Sequence, residues 1–319
     1  MRNLASMSLL AAAGAFTFGA QVRAADVPVI PPVFQPPPVS QSLMFMTVID
    51  GWLGYRAVSS TDDPDDNSHF TYGGNAYASI PLGPRTSVQL DLQGEFHDDS
   101  NFEASEGAAM FGGHLSYRDP TSHLVGAFAG VGKPFADTID DDSPGAYSGV
   151  GYVVGAEGQL YINNLTLYGQ AGFGDFKVDD DGGPEGFVNG WFVRGVGRHF
   201  VNDNFFLQAE YAFGYTNCYI DGDCAPSEDA GIFHNWGAKA VGRLMGGAMP
   251  IYGTLEYQGG LYHADEDPDM GTEHSIRVGL RVLFGAGGAP TLLANDRYGA
   301  TLDTPMLPVR AATWVPGMD

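Results

Sequence analysis

Two faces alternate along the stretch Ser275-Ile-Arg-Val-Gly-Leu-Arg-Val-Leu-Phe284. One face carries Ile276, Val278, Leu280, Val282 and Phe284, and the other carries Ser275, Arg277, Gly279 and Arg281. This period of two is typical of a β-strand with an apolar side and a polar side. Similar alternation predicts twelve strands, at residues 45–57, 69–80, 87–97, 107–118, 124–132, 147–162, 165–176, 187–201, 204–216, 231–245, 251–263 and 274–284. Most of them exceed the ~9–11 residues that a tilted strand needs to cross a bilayer.

Six acidic segments connect the first predicted strand to the second, the third to the fourth, and so on to the twelfth. They lie at residues 59–68, 98–106, 133–146, 175–186, 217–230 and 264–273. They hold 26 of the 38 acidic residues, so the net charge of −23 is concentrated in them. The turns between them are short and nearly uncharged, at residues 81–86, 119–123, 163–164, 202–203 and 246–250. Long loops at one end and tight turns at the other predict an all-β fold, a closed antiparallel transmembrane barrel, with both chain ends on the tight-turn side.

The first 24 residues predict export. Met1-Arg2-Asn3 is a short positive start, an apolar run follows at residues 4–20, and Val22-Arg23-Ala24 is a cleavage site of small residues. These features are typical of a secretory signal peptide. No later stretch reaches about 18 consecutive apolar residues, so the sequence predicts no transmembrane helix.

The rest of the chain divides into three parts. Residues 25–43 are a Pro-rich periplasmic leader, residues 44–285 are the transmembrane β-barrel, and residues 286–319 are a C-terminal tail. The prolines of the leader predict an extended chain without packed structure. The Gly and Pro content of the tail favours an unstructured extension, and a plug inside the barrel lumen is the alternative.

Two cysteines, Cys218 and Cys224, fall in one acidic segment. In an exported protein, two close cysteines predict a disulfide bond. A metal site is the alternative, although zinc normally takes four ligands. The acidic segments also leave no exposed basic face, which argues against a nucleic-acid partner.

The polar faces of the strands carry charges whose sign alternates from one strand to the next. Arg194 and Arg198 are followed by Glu210, and Glu210 by Lys239. Since cross-strand neighbours lie ~5 Å apart, opposite charges there attract each other. These side chains are assigned to the lumen: Asp50, Arg56, Asp91, Glu95, Arg118, Glu157, Arg194, Arg198, Glu210, Lys239, Arg243, Glu256, Arg277 and Arg281. They form either a salt-bridge network that fills a narrow lumen or a charged constriction that selects solutes.

The chain resembles the porin-like outer-membrane β-barrel proteins of Gram-negative bacteria. The resemblance rests on the signal peptide, the Pro-rich leader, the strands rich in glycine and aromatics, and the closing Arg277-Val-Gly-Leu-Arg-Val-Leu-Phe-Gly285. It implies a location in the outer membrane among its lipids and lipopolysaccharide, assembly by the barrel-insertion machinery, and passive diffusion or a structural role. Such barrels usually finish at a terminal aromatic residue; here Phe284 matches it, and a tail follows.

Three functions fit this sequence. The first is a porin-like passive diffusion channel for small polar solutes or ions, monomeric and with a modest cation preference. The second is a closed barrel with a structural or surface-contact role, whose acidic loops bind external partners or a divalent cation, Ca²⁺ or Mg²⁺. The candidate ligands of that cation are Asp265, Asp267, Asp269 and Glu273.

The third function is an outer-membrane lipid hydrolase that uses His114 and Ser116, which lie two residues apart on one strand face. No Gly-x-Ser-x-Gly motif with a following helix accompanies them. We therefore expect no enzyme and assign no catalytic residue.

Overall fold

The computed structural model describes residues 43–59, 67–99, 104–138, 147–148, 150–180, 186–217, 230–264, 270–285 and 290–305. The strands are β1 Met46–Ser59, β2 Asn67–Pro81, β3 Thr86–Asp99, β4 Ala104–Asp119, β5 His123–Thr138, β6 Tyr147–Ser148, β7 Gly151–Ile162, β8 Leu165–Asp180, β9 Gly186–Asn202, β10 Phe205–Asn217, β11 Ala230–Met245, β12 Ile251–Ala264 and β13 Met270–Gly285. One helix, α1 Leu292–Tyr298, follows them. Among the described residues, no helix has the length and apolar character needed to cross a membrane.

The sheet closes on itself because β1 is paired on both sides. Its Asp50 lies opposite Asn75 of β2 and Arg281 of β13, and both pairings are antiparallel. The short β6 and the longer β7 both pair with β5 and β8, so together they make one strand of the barrel. The predicted closed antiparallel barrel of twelve strands is confirmed. A closed ladder leaves no edge with unpaired backbone groups, as a sheet in lipid requires.

The tight turns lie where the sequence predicts them, but the strands run further into the acidic segments than expected. Asn163 has a φ of 53° in the predicted turn 163–164, the left-handed conformation that asparagine accepts in a two-residue hairpin. β5 continues to Thr138, and β13 begins at Met270. Backbone pairing needs no apolar side chains, so the ladder continues past the end of the apolar alternation.

The outward side chains of the barrel are apolar and exposed. Leu92 is 58% exposed and Ile276 is 60% exposed. Exposed aromatic rings stand near the strand ends, at Tyr55, Phe70, Tyr72, Phe96, Tyr117 and Trp191. Tyr72 and Phe96 stack with their ring centroids 5.4 Å apart. An apolar band with aromatic rings at its borders is the lipid-facing surface of a transmembrane barrel.

The prediction of an unstructured tail is wrong for residues 290–305. Helix α1 begins after Thr291, whose Oγ1 accepts a hydrogen bond from the Ala294 N–H at 3.0 Å. Leu292 in the helix and Leu302 in the segment after it are each only 2% exposed. Their packing partners are inner-face side chains of the barrel, so the lumen plug, which was the alternative, describes this segment.

Several predictions fall on residues outside those that the structure describes. They concern the signal peptide, the leader up to residue 42, the pairing of Cys218 with Cys224, and the loop carboxylates Asp265, Asp267 and Asp269.

Candidate functional site

The charges assigned to the lumen lie on the inner face of the barrel, at positions that alternate with the lipid-facing side chains. Those that are buried are Asp50, Arg56, Asp91, Glu95, Arg118, Glu157 and Arg277. Those that are half-buried are Arg194, Arg198, Glu210, Lys239, Glu256 and Arg281. Arg243 differs, because it is exposed at the tight-turn end of β11. The structure thus brings the others together in the lumen and leaves Arg243 at its rim.

Neighbouring strands pair opposite charges. Arg281 donates two hydrogen bonds to Asp50, from Nε to Oδ1 at 2.7 Å and from Nη2 to Oδ2 at 2.6 Å. Lys239 Nζ lies 2.8 Å from Glu256 Oε2. Such pairing avoids the free-energy cost of an isolated buried charge. It also means that these charges form a connected network and not a row of independent ions.

One ion pair crosses the lumen. Arg277 of β13 donates from Nη2 to Glu95 Oε1 of β3 at 2.7 Å, although β1 and β2 lie between those strands. The guanidinium also lies over the ring of Trp52, 4.1 Å from its centroid. The strand-by-strand alternation in the sequence pointed instead to Glu256, which is the register neighbour of Arg277. Closure of the barrel brings Glu95 within reach across its interior.

Glu273 is also part of this inner network, which corrects the assignment of this residue to a loop cation site. It lies in β13, is 3% exposed, and its Oε1 is 3.1 Å from Arg56 Nε. The strand begins before the acidic segment ends, so the side chain points into the barrel. No group of three or more His, Cys, Asp or Glu side chains suited to a metal ion occurs among the described residues.

His114 is the centre of a buried cluster on the acidic side of the lumen, the side where β3 and β7 carry Asp91, Glu95 and Glu157. Its Nε2 lies 2.7 Å from Asp91 Oδ2, and its Nδ1 lies 2.8 Å from Glu157 Oε1. Tyr168 donates its hydroxyl to the other oxygen of Glu157 at 2.7 Å. An imidazole donates from both nitrogens only when it is charged, so a ring that donates to both carboxylates sets one positive charge against their two negative charges.

The same contacts argue against the hydrolase. Both nitrogens of His114 face carboxylates, and the hydroxyl of Ser116 lies 3.1 Å from that of Ser87. A catalytic pair needs the serine within hydrogen-bond reach of its base. His114 and Ser116 are therefore accounted for by the packing of the lumen wall.

Helix α1 lies across the tight-turn end of the barrel. The Leu293 N–H donates to Asp203 O in the turn between β9 and β10, at 3.1 Å. Arg297 donates to Asn163 O in the turn between β7 and β8, at 3.0 Å, and lies over the ring of Tyr161. Two turns on the rim thus hold the helix over the mouth.

After α1, the chain enters the lumen beside β3, without regular secondary structure. Arg118 donates to Gly299 O at 2.9 Å, near the mouth. Deeper in, Gln89 bonds both main-chain groups of Leu302, donating to its O at 2.6 Å and accepting from its N–H at 3.1 Å. Asp91 accepts from the N–H of Thr304 at 2.8 Å. Side chains of the wall thus satisfy the main chain of a segment that belongs to no sheet.

The two aspartates of the segment meet two arginines of β9. Asp303 Oδ2 lies 2.5 Å from Arg194 Nη1. Asp296 Oδ1 bonds Arg198, and its Oδ2 accepts from Thr166 at 2.6 Å. Arg194 also holds Glu210 of the neighbouring strand at 2.7 Å. The segment therefore places its two carboxylates against the arginines of β9.

Thr304 fits into a gap that two glycines leave in the wall. A Cβ on Gly112 would lie 1.8 Å from Thr304 Oγ1, and a Cβ on Gly130 would lie 2.8 Å from Thr304 Cγ2. The Thr304 hydroxyl in turn lies 3.1 Å from His114 Nε2. Only residues without a side chain at positions 112 and 130 allow the segment to approach β4 and β5 this closely.

A cavity of about 170 Å³ remains between the segment and the opposite wall. Its lining carries both signs of charge, with Glu95, Lys239 and Arg281 among the barrel residues and Asp296 and Asp303 on the segment. The segment thus blocks one side of the lumen and leaves a polar space on the other.

No protein-family model and no curated protein match this chain. Solved structures do match it. An outer-membrane channel from Pseudomonas putida F1 superposes with a TM-score of 0.53 at 14% identity, over 79% of this chain and 99% of that one. The translocator domain of the autotransporter NalP from Neisseria meningitidis reaches a TM-score of 0.49 at 14% identity, over 74% of this chain and 88% of that one. This chain has the fold of the outer-membrane β-barrels.

That fold orients the barrel. In outer-membrane barrels the short turns face the periplasm and the long loops face outward. The plug segment therefore enters the lumen from the periplasmic mouth, where α1 covers the turns. The strand ends that border the acidic segments lie at the opposite, external mouth.

The inner-face residues that hold the plug segment include neutral side chains that no sequence pattern singled out. Gln89, Gln93 and Gln170 bond the main chain of residues 302–304. Glutamines on the polar face of a strand are equally typical of a water-filled lumen. One signal in the sequence is the spacing on β3, where Gln89, Asp91 and Gln93 occupy every second position.

Proposed function

We propose that this barrel is a passive diffusion channel for small polar solutes or ions, and that its own C-terminal segment closes it. The observation that supports this is the nature of the closure: residues 290–305, and not the barrel wall alone, occupy the lumen. Hydrogen bonds and ion pairs with side chains hold the extended part of the segment, so it can leave without breaking the strand ladder. The wall that it would uncover is polar and charged, which suits hydrated ions and polar solutes.

The comparison with known structures supports the same function. The channel from Pseudomonas putida F1 shares its fold with this chain over 99% of the channel's own length. The acidic segments at the external mouth would add a modest preference for cations, because clustered carboxylates raise the local concentration of counter-ions.

A closed barrel with a surface-contact role is the second candidate. The buried seat of Leu302 and the ion pairs of Asp296 and Asp303 would also suit a permanent seal. The acidic segments would then be the working part and would bind divalent cations or external partners.

Conductance in planar bilayers tests the channel. The tail-release variant combines Leu302→Asp, which places a carboxylate among Leu124, Tyr161, Tyr168 and Val196, with Asp303→Lys, which places a cation against Arg194. Burying an unpaired charge is costly, so the segment should stay out of the lumen. We expect wild-type protein to be closed with brief openings, and the variant to remain open at the same unit conductance. The reversal potential under a salt gradient then gives the ion preference.

Leu82→Asp is the matched control, since Leu82 lies exposed in a tight turn, and it should behave as wild type. A folded tail-release variant without conductance steps would show that the barrel wall itself seals the lumen. A wild-type barrel that never opens, beside a conducting variant, would mean that the segment is a permanent seal and would favour the closed barrel.

A further inference from the structure

We propose that the lumen wall is a binding site for extended acidic peptides, and that residues 299–305 occupy it as a ligand held within the same chain. The proposal rests on the proposed function, since another peptide reaches the wall only when the segment leaves. It extends that function by naming a class of ligand. Three features of the seat carry it: recognition of the main chain, a pocket for an apolar side chain, and cations for carboxylates.

The wall recognises the main chain of its ligand. Gln89 offers Leu302 one donor and one acceptor, as a neighbouring peptide group in a β-sheet would. Two positions further along β3, Asp91 accepts from the N–H of Thr304. After two more positions, Gln93 donates to the O of Thr304 at 2.7 Å. Alternate residues of an extended chain are ~6.6 Å apart, so the distance from Gln89 to Asp91 on β3 matches the distance from Leu302 to Thr304 in an extended ligand. These bonds depend on an extended backbone and not on the identity of its side chains.

On the side of the ligand away from β3, the barrel wall selects the ligand's side chains. Leu302 packs among Leu124, Tyr161, Tyr168 and Val196, all of them buried. Two residues further on, Thr304 enters the gap at Gly112 and Gly130. A leucine therefore has a shaped pocket, and the position two residues after it accepts only a side chain that fits between the glycines.

The positive charge of Arg194 selects the residue between Leu302 and Thr304. Arg194 bonds the carboxylate of Asp303, and Gln170 bonds the main-chain O of the same residue at 2.7 Å. Arg198 bonds Asp296, seven positions earlier in the chain. The preferred ligand is thus a peptide with an extended stretch in the order leucine, acidic residue, small residue, preceded by a helical turn that carries a second carboxylate.

The periplasmic side is the route for such a ligand. The segment itself enters from the tight-turn end, and the acidic segments at the external mouth would repel a negatively charged peptide. A peptide from the periplasm would meet the same residues in the same order as the segment does.

Binding of a free peptide tests this site in the full-length chain. The probe is a fluorescently labelled synthetic peptide with the sequence of residues 290–305, added to the detergent-solubilised tail-release variant and followed by fluorescence anisotropy. We expect saturable binding. Arg194→Gln in that variant should weaken binding about tenfold or more, because it removes a charge-assisted hydrogen bond. A peptide carrying Asp303→Asn should bind weakly to both barrels, with little further loss on Arg194→Gln.

Arg85→Gln is the matched control, since the Arg85 side chain is 56% exposed in the tight turn before β3 and pairs with Asp119, so the change should leave the affinity unchanged. A scrambled peptide of the same composition should not saturate. The proposal is overturned if the scrambled peptide binds as well as the native sequence, or if Arg194→Gln and Arg85→Gln have equal effects. Because anisotropy needs no current, peptide binding without conductance would overturn the channel alone, and conductance without peptide binding would overturn this site alone.

Discussion

Replacing Gly112 by alanine is expected to drive residues 302–305 out of the lumen and to hold the barrel open. The new Cβ would lie 1.8 Å from Thr304 Oγ1 and 2.7 Å from Thr304 Cβ, far inside van der Waals contact. Thr304 has no simple way to move aside, because its N–H is bonded to Asp91 and its carbonyl to Gln93. The clash is therefore relieved when Thr304 leaves the wall. We expect the open fraction in planar bilayers to rise from near zero to most of the recording time.

Two further variants make this result specific. Gly113→Ala is the control, because a Cβ there points to the other face of β4 and meets Leu90 Cδ2 at an ordinary 3.7 Å. It should stay closed like wild type. Adding Thr304→Gly to Gly112→Ala removes the clashing atoms and should restore part of the closure. If Gly112→Ala is as closed as Gly113→Ala, the seat of Thr304 is not what blocks the lumen.

The architecture of the barrel was predictable because its information is local. A period of two marks each strand, and turn length marks each end, so the strand number and the two-sided distribution of loops follow from short windows of sequence. Paired charges on neighbouring strands, such as Asp50 with Arg281, followed from strand order in the same way. The strand ends were less predictable, since the ladder continues into acidic stretches such as the start of β13, where Glu273 turns inward.

The plug was not predictable because its information is remote. Gln89 and Leu302 are separated by 213 positions, and neither has a local pattern that points to the other. Residues 290–305 contain Pro290, Gly299 and Pro305, a composition that favours an unstructured chain when considered alone. What orders them is burial against a wall that exists only once the barrel has closed. Composition of a tail therefore predicts its behaviour in solvent, and not its behaviour beside a lumen that fits it.

The largest effect on stability is expected at His114. Leucine at this position would leave Asp91 and Glu157 buried without the ring that lies 2.7 Å from one carboxylate and 2.8 Å from the other. Removing one partner from a buried ion pair costs about 3–5 kcal/mol, because the remaining charge is neither paired nor hydrated. Asp91 and Glu157 keep hydrogen bonds from Gln89 and Tyr168, which moderate that cost without removing the negative charge. The free energy of unfolding, from denaturant titration followed by tryptophan fluorescence, should fall by this amount in His114→Leu.

His274→Leu separates this effect from the loss of any histidine. His274 is exposed on β13 and shares its hydrogen bond with the exposed hydroxyl of Tyr257, so the change should stay within about 0.5 kcal/mol. Adding Glu157→Gln to His114→Leu removes one of the two stranded charges and should recover part of the loss. A His114→Leu barrel as stable as His274→Leu would mean that the carboxylates of Asp91 and Glu157 are hydrated. The lumen would then contain water on its acidic side, and the seat of Thr304 would lose the dry surroundings that give its hydrogen bonds their strength.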